Sequence, residues 1–169
     1  MRKTKSAFTL LELLISIVIL SIMVMYLYHS YNSLNRSNQG LHIQTNKIMK
    51  REKIKKLLYL DFLNAGSSVK ITHREKNEDF VVLQTTHSIH RRFHPYVLYM
   101  LKEDKLYRLE SLKKIASYEI ASDALFDVDY LGKCRLLRVY KSSKKDANAY
   151  LIHINFKKME EIILKVKVF

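Results

Sequence analysis

The order of apolar and polar positions divides the chain into three parts. Residues 8–27 form one apolar run, residues 28–65 are mostly polar, and the rest of the chain is broken into short apolar segments. Twenty helical residues at about 1.5 Å each cover roughly 30 Å, which is the thickness of a membrane's hydrocarbon core. The first part therefore predicts a membrane-spanning helix.

The polar second part is expected to continue this helix, because no proline interrupts the chain before Pro95. Residues 30–40 are rich in asparagine and serine and end in Gly40, so we expect a bend or a frayed turn there. Apolar residues then return at steps of three and four, at Ile54, Leu57, Leu58 and Phe62. This face is expected to pack on a globular domain, and the helix to end near residues 64–66.

The third part shows a period of two, which is typical of strands. Short segments rich in β-branched and aromatic residues lie at Val69–Thr72, Phe80–Thr85, Tyr96–Leu101, Leu106–Leu109, Phe126–Leu131, Arg135–Tyr140, Tyr150–Phe156 and Ile162–Val168. The clearest hairpin joins the third segment to the fourth. The pattern predicts an α+β fold in which a long N-terminal transmembrane helix packs on a mainly antiparallel β-sheet.

One charge interrupts the apolar run, at Glu12. A charged residue at the centre of a membrane helix costs roughly 2.5–3.5 kcal/mol, and less near its end, so we expect a partner charge. A plain anchor helix whose Glu12 reaches the interface is the alternative. The basic residues Arg2, Lys3 and Lys5 precede the run and place this end in the cytoplasm.

The residues KSA followed by FTLLELLISIVIL resemble the class III leader of type IV pilins and type II secretion pseudopilins. The resemblance implies that a prepilin peptidase cuts between Ala7 and Phe8 and methylates the new amine of Phe8. It also implies that Glu12 docks to this amine on a neighbouring subunit. Ala7 stands where the family normally has glycine, and alanine is the next smallest side chain.

The same resemblance implies a pilin-like fold and a place in the cell. It divides the chain into a cytoplasmic leader (1–7), the transmembrane half of the helix (8–30), its periplasmic half (31–65) and a periplasmic antiparallel β domain (66–169). The protein is then a single-pass inner-membrane protein with a cytoplasmic N-terminus. Its expected partners are the prepilin peptidase, other pseudopilin subunits and the inner membrane.

The helix end LYLDFLNA and the hairpin VLYML…KLYRLES are most like the J-type minor pseudopilins. This narrower resemblance implies a structural subunit of a periplasmic pseudopilus in a type II secretion-like machine. The alternative is a minor pilin of a type IV pilus or competence system that contacts DNA through a basic surface.

A formal net charge of +14 would attract a polyanion such as DNA. The residues selected for polyanion contact are Lys50, Arg51, Lys53, Arg91 and Arg92. Lys105, Tyr107 and Arg108 also interleave charge with an aromatic ring. A solvated face is the ordinary meaning of such a charge run, and no nucleic-acid-binding motif is present, so DNA is the less favoured partner.

No catalytic motif is present, so we expect a non-enzymatic protein without a cofactor. His87, His90 and His94 have the spacing of metal ligands, but Arg91 and Arg92 lie between them and would repel a cation. We therefore expect a polar loop and no metal site. The single cysteine, Cys134, cannot form an intramolecular disulfide and is expected in the core.

Overall fold

The computed structural model describes residues 9–65, 69–74, 77–115, 125–143 and 148–168. They form the helix α1 (Leu10–Leu63) and the strands β1 (Lys70–His73), β2 (Asp79–Gln84), β3 (Tyr96–Lys102), β4 (Lys105–Ser111), β5 (Asp127–Lys141), β6 (Ala149–Phe156) and β7 (Ile162–Lys167). The chain divides between Asn46 and Lys47 into two compact units. The predicted α+β, pilin-like class is confirmed.

The first unit contains the N-terminal part of α1. Its apolar residues are exposed, and the helix is long and apolar enough to cross a membrane. The helix runs without a break through residues 30–40, so the fraying expected there is absent from this fully described stretch. Glycine costs a helix only about 1 kcal/mol relative to alanine, and the cooperativity of the neighbouring turns outweighs that cost.

The second unit is a curled sheet around the end of α1. Within the described ranges its seven strands follow one another in chain order, and every neighbouring pair is antiparallel. The predicted hairpin is the β3–β4 pair, in which Lys102 lies opposite Lys105. Glu103 and Asp104 between them have φ of 52° and 58°, as a two-residue type I′ turn requires.

Two of the predicted strands form a single strand in the structure. The segments 126–131 and 135–140 belong to the 15-residue strand β5, whose first half pairs with β4 and whose second half pairs with β6. The register with β4 shifts between Leu106 and Tyr107, next to Gly132, which has a φ of 150°. A glycine at a β-bulge bends a strand without ending it, which is why the sequence there resembles a turn.

Asp79, at the start of β2, links this strand to the second half of β5. Its carboxylate accepts hydrogen bonds from the Val139 amide at 2.8 Å and from the Arg138 guanidinium at 2.5 Å. The Leu137 amide donates to the carbonyl of Asn77 at 3.0 Å. These contacts hold the curl of the sheet, because β2 and β5 are not neighbours in the strand order.

The main core lies between the end of α1 and the concave face of the sheet. Ile54, Leu58, Phe62 and Ala65 are buried there, and Leu57 packs at its edge, so the predicted apolar helix face is confirmed. A second cluster, which includes Phe80, Leu98 and Ile115, lies on the opposite face of the sheet. Complete burial of one such side chain contributes about 1.5–3 kcal/mol.

Candidate functional site

The predicted cleavage residues Ala7 and Phe8 lie outside the described residues. Thr9 begins the described chain and caps α1. Oε2 of Glu12 accepts hydrogen bonds from the Thr9 amide at 3.0 Å and from its hydroxyl at 3.1 Å, while the Glu12 amide donates to Thr9 Oγ1 at 3.3 Å. This is a capping box. Among the described residues Glu12 has no cationic partner, so its charge is balanced only by hydrogen bonds.

The predicted polyanion contacts on α1 lie in different surroundings. Lys50 Nζ is 5.8 Å from the centre of the Tyr130 ring, and Arg51 pairs with Glu160 at 3.0 Å. Lys53 is exposed. One of the three helix cations is therefore already paired with a carboxylate.

The other two predicted contacts, Arg91 and Arg92, lie in the β2–β3 loop (residues 85–95). Arg92 Nε donates to Asp127 at 2.5 Å, and this bond lowers the pKa of the Asp127 carboxyl. Arg91 is exposed. The loop is tied to α1 at Asp61, ten residues and about 15 Å beyond Arg51 along the helix. The five residues therefore lie on two different elements, three on α1 and two in the β2–β3 loop.

The most unusual feature of the second unit is a buried polar network around Arg108. Its guanidinium donates to Asp61 at 2.8 and 3.4 Å, to Glu110 at 2.7 Å and to Asp129 at 3.3 Å. The Tyr99 hydroxyl also donates to Asp61, at 2.6 Å. Arg108, Asp61 and Glu110 are fully buried, so Arg108 is not the surface cation that the sequence indicated.

Charge explains why this network holds together. Burial favours the neutral form of Arg108, but the hydrogen bonds and charge of Asp61 dominate and raise its pKa. Burial likewise opposes ionisation of Glu110, yet the hydrogen bonds from Ser88 and Arg108 lower its pKa. Burial and the Asp61 charge raise the pKa of Tyr99, which stays a neutral donor. One guanidinium thus donates hydrogen bonds to three carboxylates.

The same carboxylates hold the β2–β3 loop. His87 Nδ1 lies 2.5 Å from Asp61, and His90 Nε2 lies 3.1 Å from Asp129. Glu110 accepts hydrogen bonds from the Ser88 hydroxyl and, at 3.3 Å, from the Ile89 amide. The loop is therefore fixed to the buried network at four consecutive residues.

The three histidines that have the spacing of metal ligands do not converge on one point. His87 and His90 contact different carboxylates, and the ring of His94 lies against Phe93 with the centroids 4.3 Å apart. Within the described ranges, no group of three or more His, Cys, Asp or Glu is placed to hold a metal ion.

Sequence reasoning missed this network, although one signal was present. Asp61 lies one turn after Leu57 and Leu58 and directly before Phe62, which puts a carboxylate on the predicted apolar face of α1. A carboxylate in that position requires a buried partner. The partner, Arg108, belongs to a strand, and its pairing with Asp61 depends on the tertiary fold.

Cys134 is a core residue, as predicted. Its thiol donates to the carbonyl of Leu136 at 3.0 Å, and burial raises its pKa to about 11. Such a thiol is not an activated nucleophile.

Comparison with known families bears on the N-terminal segment. Residues 2–28 match the model of the prokaryotic N-terminal methylation motif. The match supports a type IV pilin-like protein. A leader of this type implies processing by a prepilin peptidase and assembly with other pilin subunits, and together with the apolar α1 it is consistent with inner-membrane anchoring. Comparisons with curated proteins and with solved structures found no match.

Proposed function

We propose that this protein is a minor pseudopilin, a non-enzymatic structural subunit of a periplasmic pseudopilus in a type II secretion-like machine, closest to the J type. The observation that carries the proposal is the methylation-motif match over residues 2–28, with Glu12 as the single charge in an apolar helix. Residues 1–7 are then the cytoplasmic leader, 8–30 the transmembrane half of the helix, 31–65 its periplasmic half and 66–169 the periplasmic domain.

The proposed mechanism begins with cleavage between Ala7 and Phe8, which creates an α-ammonium on Phe8. Methylation of this amine leaves its positive charge in place. In the unassembled chain, Thr9 supplies the hydrogen bonds that Glu12 needs. During assembly the Phe8 amine of a neighbouring subunit adds the missing counter-charge, and the low dielectric of the membrane strengthens the attraction.

The docking step is tested with Glu12→Gln in the native host, since glutamine keeps the shape of the side chain and removes its charge. The measured quantity is the fraction of the full chain that copurifies with the other pilin-like subunits. Loss of one partner charge is expected to lower this fraction about tenfold or more. Glu52→Gln, at an exposed glutamate of the same helix, is the control. Unchanged incorporation of Glu12→Gln would favour the plain anchor helix.

The second candidate is a minor pilin of a type IV pilus or competence system that contacts DNA. The contact of Lys50 with Tyr130, whose ring lies 5.7 Å from that of Tyr107, favours it because cations beside exposed rings suit single strands. Purified full-length protein in detergent should then bind a fluorescent oligonucleotide with an affinity that falls steeply as salt rises. Absence of binding near physiological salt would remove this candidate.

A further inference from the structure

The β2–β3 loop holds an exposed aromatic ring in a fixed position. Phe93 is 83% exposed, and Ile89 in the same loop is 45% exposed. Neither side chain belongs to the two hydrophobic clusters of the described residues. The Phe93 ring touches the ring of His94, with the centroids 4.3 Å apart, but most of its surface faces water and is available for contact with another molecule.

The backbone of this loop is strained on both sides of Phe93, which supports a functional role for the exposed ring. Arg91 and His94, on either side of Phe93, adopt φ of 58° and 47°, a region that non-glycine residues rarely occupy. Such strain persists only where surrounding contacts over-determine the backbone, and it is concentrated at functional sites.

Contacts of that kind flank Phe93 directly. The Arg92 side chain is fixed to Asp127, and the Arg92 amide donates to the Ser88 hydroxyl at 2.7 Å. Gln84 also donates to the carbonyl of His94, at 3.3 Å. Together with the buried carboxylates, these bonds settle the conformation of the loop before any partner arrives, which reduces the entropy lost on binding.

The charge at the loop tip indicates the chemistry of the partner. Arg91 is exposed and makes no ion pair with the described residues, whereas Arg92 is neutralised by Asp127. A strand of nucleic acid needs a track of several cations. An exposed phenylalanine with an exposed arginine two positions away is instead typical of protein–protein interfaces, where aromatic residues and arginine are enriched.

We propose that Phe93 inserts into an apolar pocket on a neighbouring subunit of a different kind, and that a carboxylate at the rim of this pocket pairs with Arg91. A second copy of this chain is a less favourable partner, because it carries the same formal net charge of +14. The proposal rests on the proposed function, because it assumes an assembly of pilin-like subunits. The network around Arg108 then acts as the support that positions the anchor.

The test uses the full chain in its native host, with the photoreactive p-benzoylphenylalanine in place of Phe93. Irradiation is expected to join position 93 to another pilin-like subunit, at a peptide that contains apolar residues and an aspartate or glutamate. Arg91→Glu should lower the yield of this product about fivefold or more, because like charges then meet at the rim. Arg135→Glu, at an exposed arginine of β5, should leave the yield unchanged.

A second photoreactive probe at Tyr140, which is 49% exposed on β5, shows whether Arg91→Glu acts locally. Products at position 140 should not respond to Arg91→Glu. Products at position 93 that contain only a second copy of this chain, lipid or nucleic acid would overturn the proposal. So would a lack of product at position 93 while the chain copurifies with the other subunits. Failure of the wild-type chain to copurify with any pilin-like subunit would overturn the proposed function, and with it this proposal.

Discussion

The carboxylate of Asp61 and the guanidinium of Arg108 meet in the interior of the protein, where both side chains have 0% exposure. Two hydrogen bonds of 2.8 and 3.4 Å join them and connect the last turns of α1 to β4. Rotation of the helix by one residue, about 100°, would carry Asp61 away from Arg108. We therefore expect this pair to fix how the end of α1 is seated on the sheet, a role attested for some buried polar pairs.

Removal of the guanidinium should be strongly destabilising. Arg108→Met keeps much of the side-chain volume but leaves Asp61 and Glu110 buried without their cation, which typically costs about 3–5 kcal/mol. The measurement is the free energy of unfolding of the full chain in detergent, from urea titration. Arg92→Met, at the partly exposed pair with Asp127, is the matched control and should lower the free energy of unfolding much less than Arg108→Met, because water screens an exposed ion pair. Equal losses in the two variants would show that the buried pair does not hold the helix end.

The sequence predicted the features that depend on periodicity. The apolar face of α1 and the β3–β4 hairpin follow from spacings of three to four and of two, and both are present. The continuity of β5 could not be read in this way, because the bulge beside Gly132 has the composition of a turn.

The surroundings of Arg108 explain why the polar network could not be predicted from the sequence. In β4, Leu106 packs in the main core and Leu109 in the second cluster, so both faces of the strand are buried. Alternation therefore could not distinguish an inward arginine from an outward one. Its burial depends on Asp61 and Glu110, and only the tertiary fold brings Asp61 to it.

Acid should weaken the folded state through the carboxylates whose pKa is lowered. Burial opposes ionisation of Glu110, but the hydrogen bonds from Ser88 and Arg108 lower its pKa below the ordinary 4.5. The hydrogen bond from Arg92 lowers the pKa of Asp127 below the ordinary 3.8. The unfolded chain then binds more protons, so their stabilisation is present above about pH 4.5 and is lost as the pH falls through the lowered values.

The melting temperature measured from pH 7 to pH 3 should therefore fall toward acid. Glu110→Gln should lower the melting temperature at neutral pH. It should also make the melting temperature fall less steeply toward acid, since this residue no longer titrates. Glu52→Gln, at an exposed glutamate, is the matched control. A melting temperature that rises toward pH 3 would contradict this assignment.

Cys134 should resist alkylation in the native protein. With a pKa of about 11, only on the order of one thiol in a thousand is ionised at pH 8, and the side chain is buried. The rate of reaction with iodoacetamide, followed by mass, should rise only on unfolding. An added thiol from Ser143→Cys, at an exposed position, is the internal control and should react at once. Similar native rates at the two positions would show that Cys134 is accessible.

The processing of the N-terminus tests the central claim most directly. The protein is isolated from its own host, and the mass of its N-terminal peptide is determined. The account predicts a peptide that begins at Phe8 and carries one methyl group on its amine, because the methylation motif spans residues 2–28. A peptide that retains Met1 and the intact leader would contradict it and would leave a basic domain on an ordinary membrane anchor.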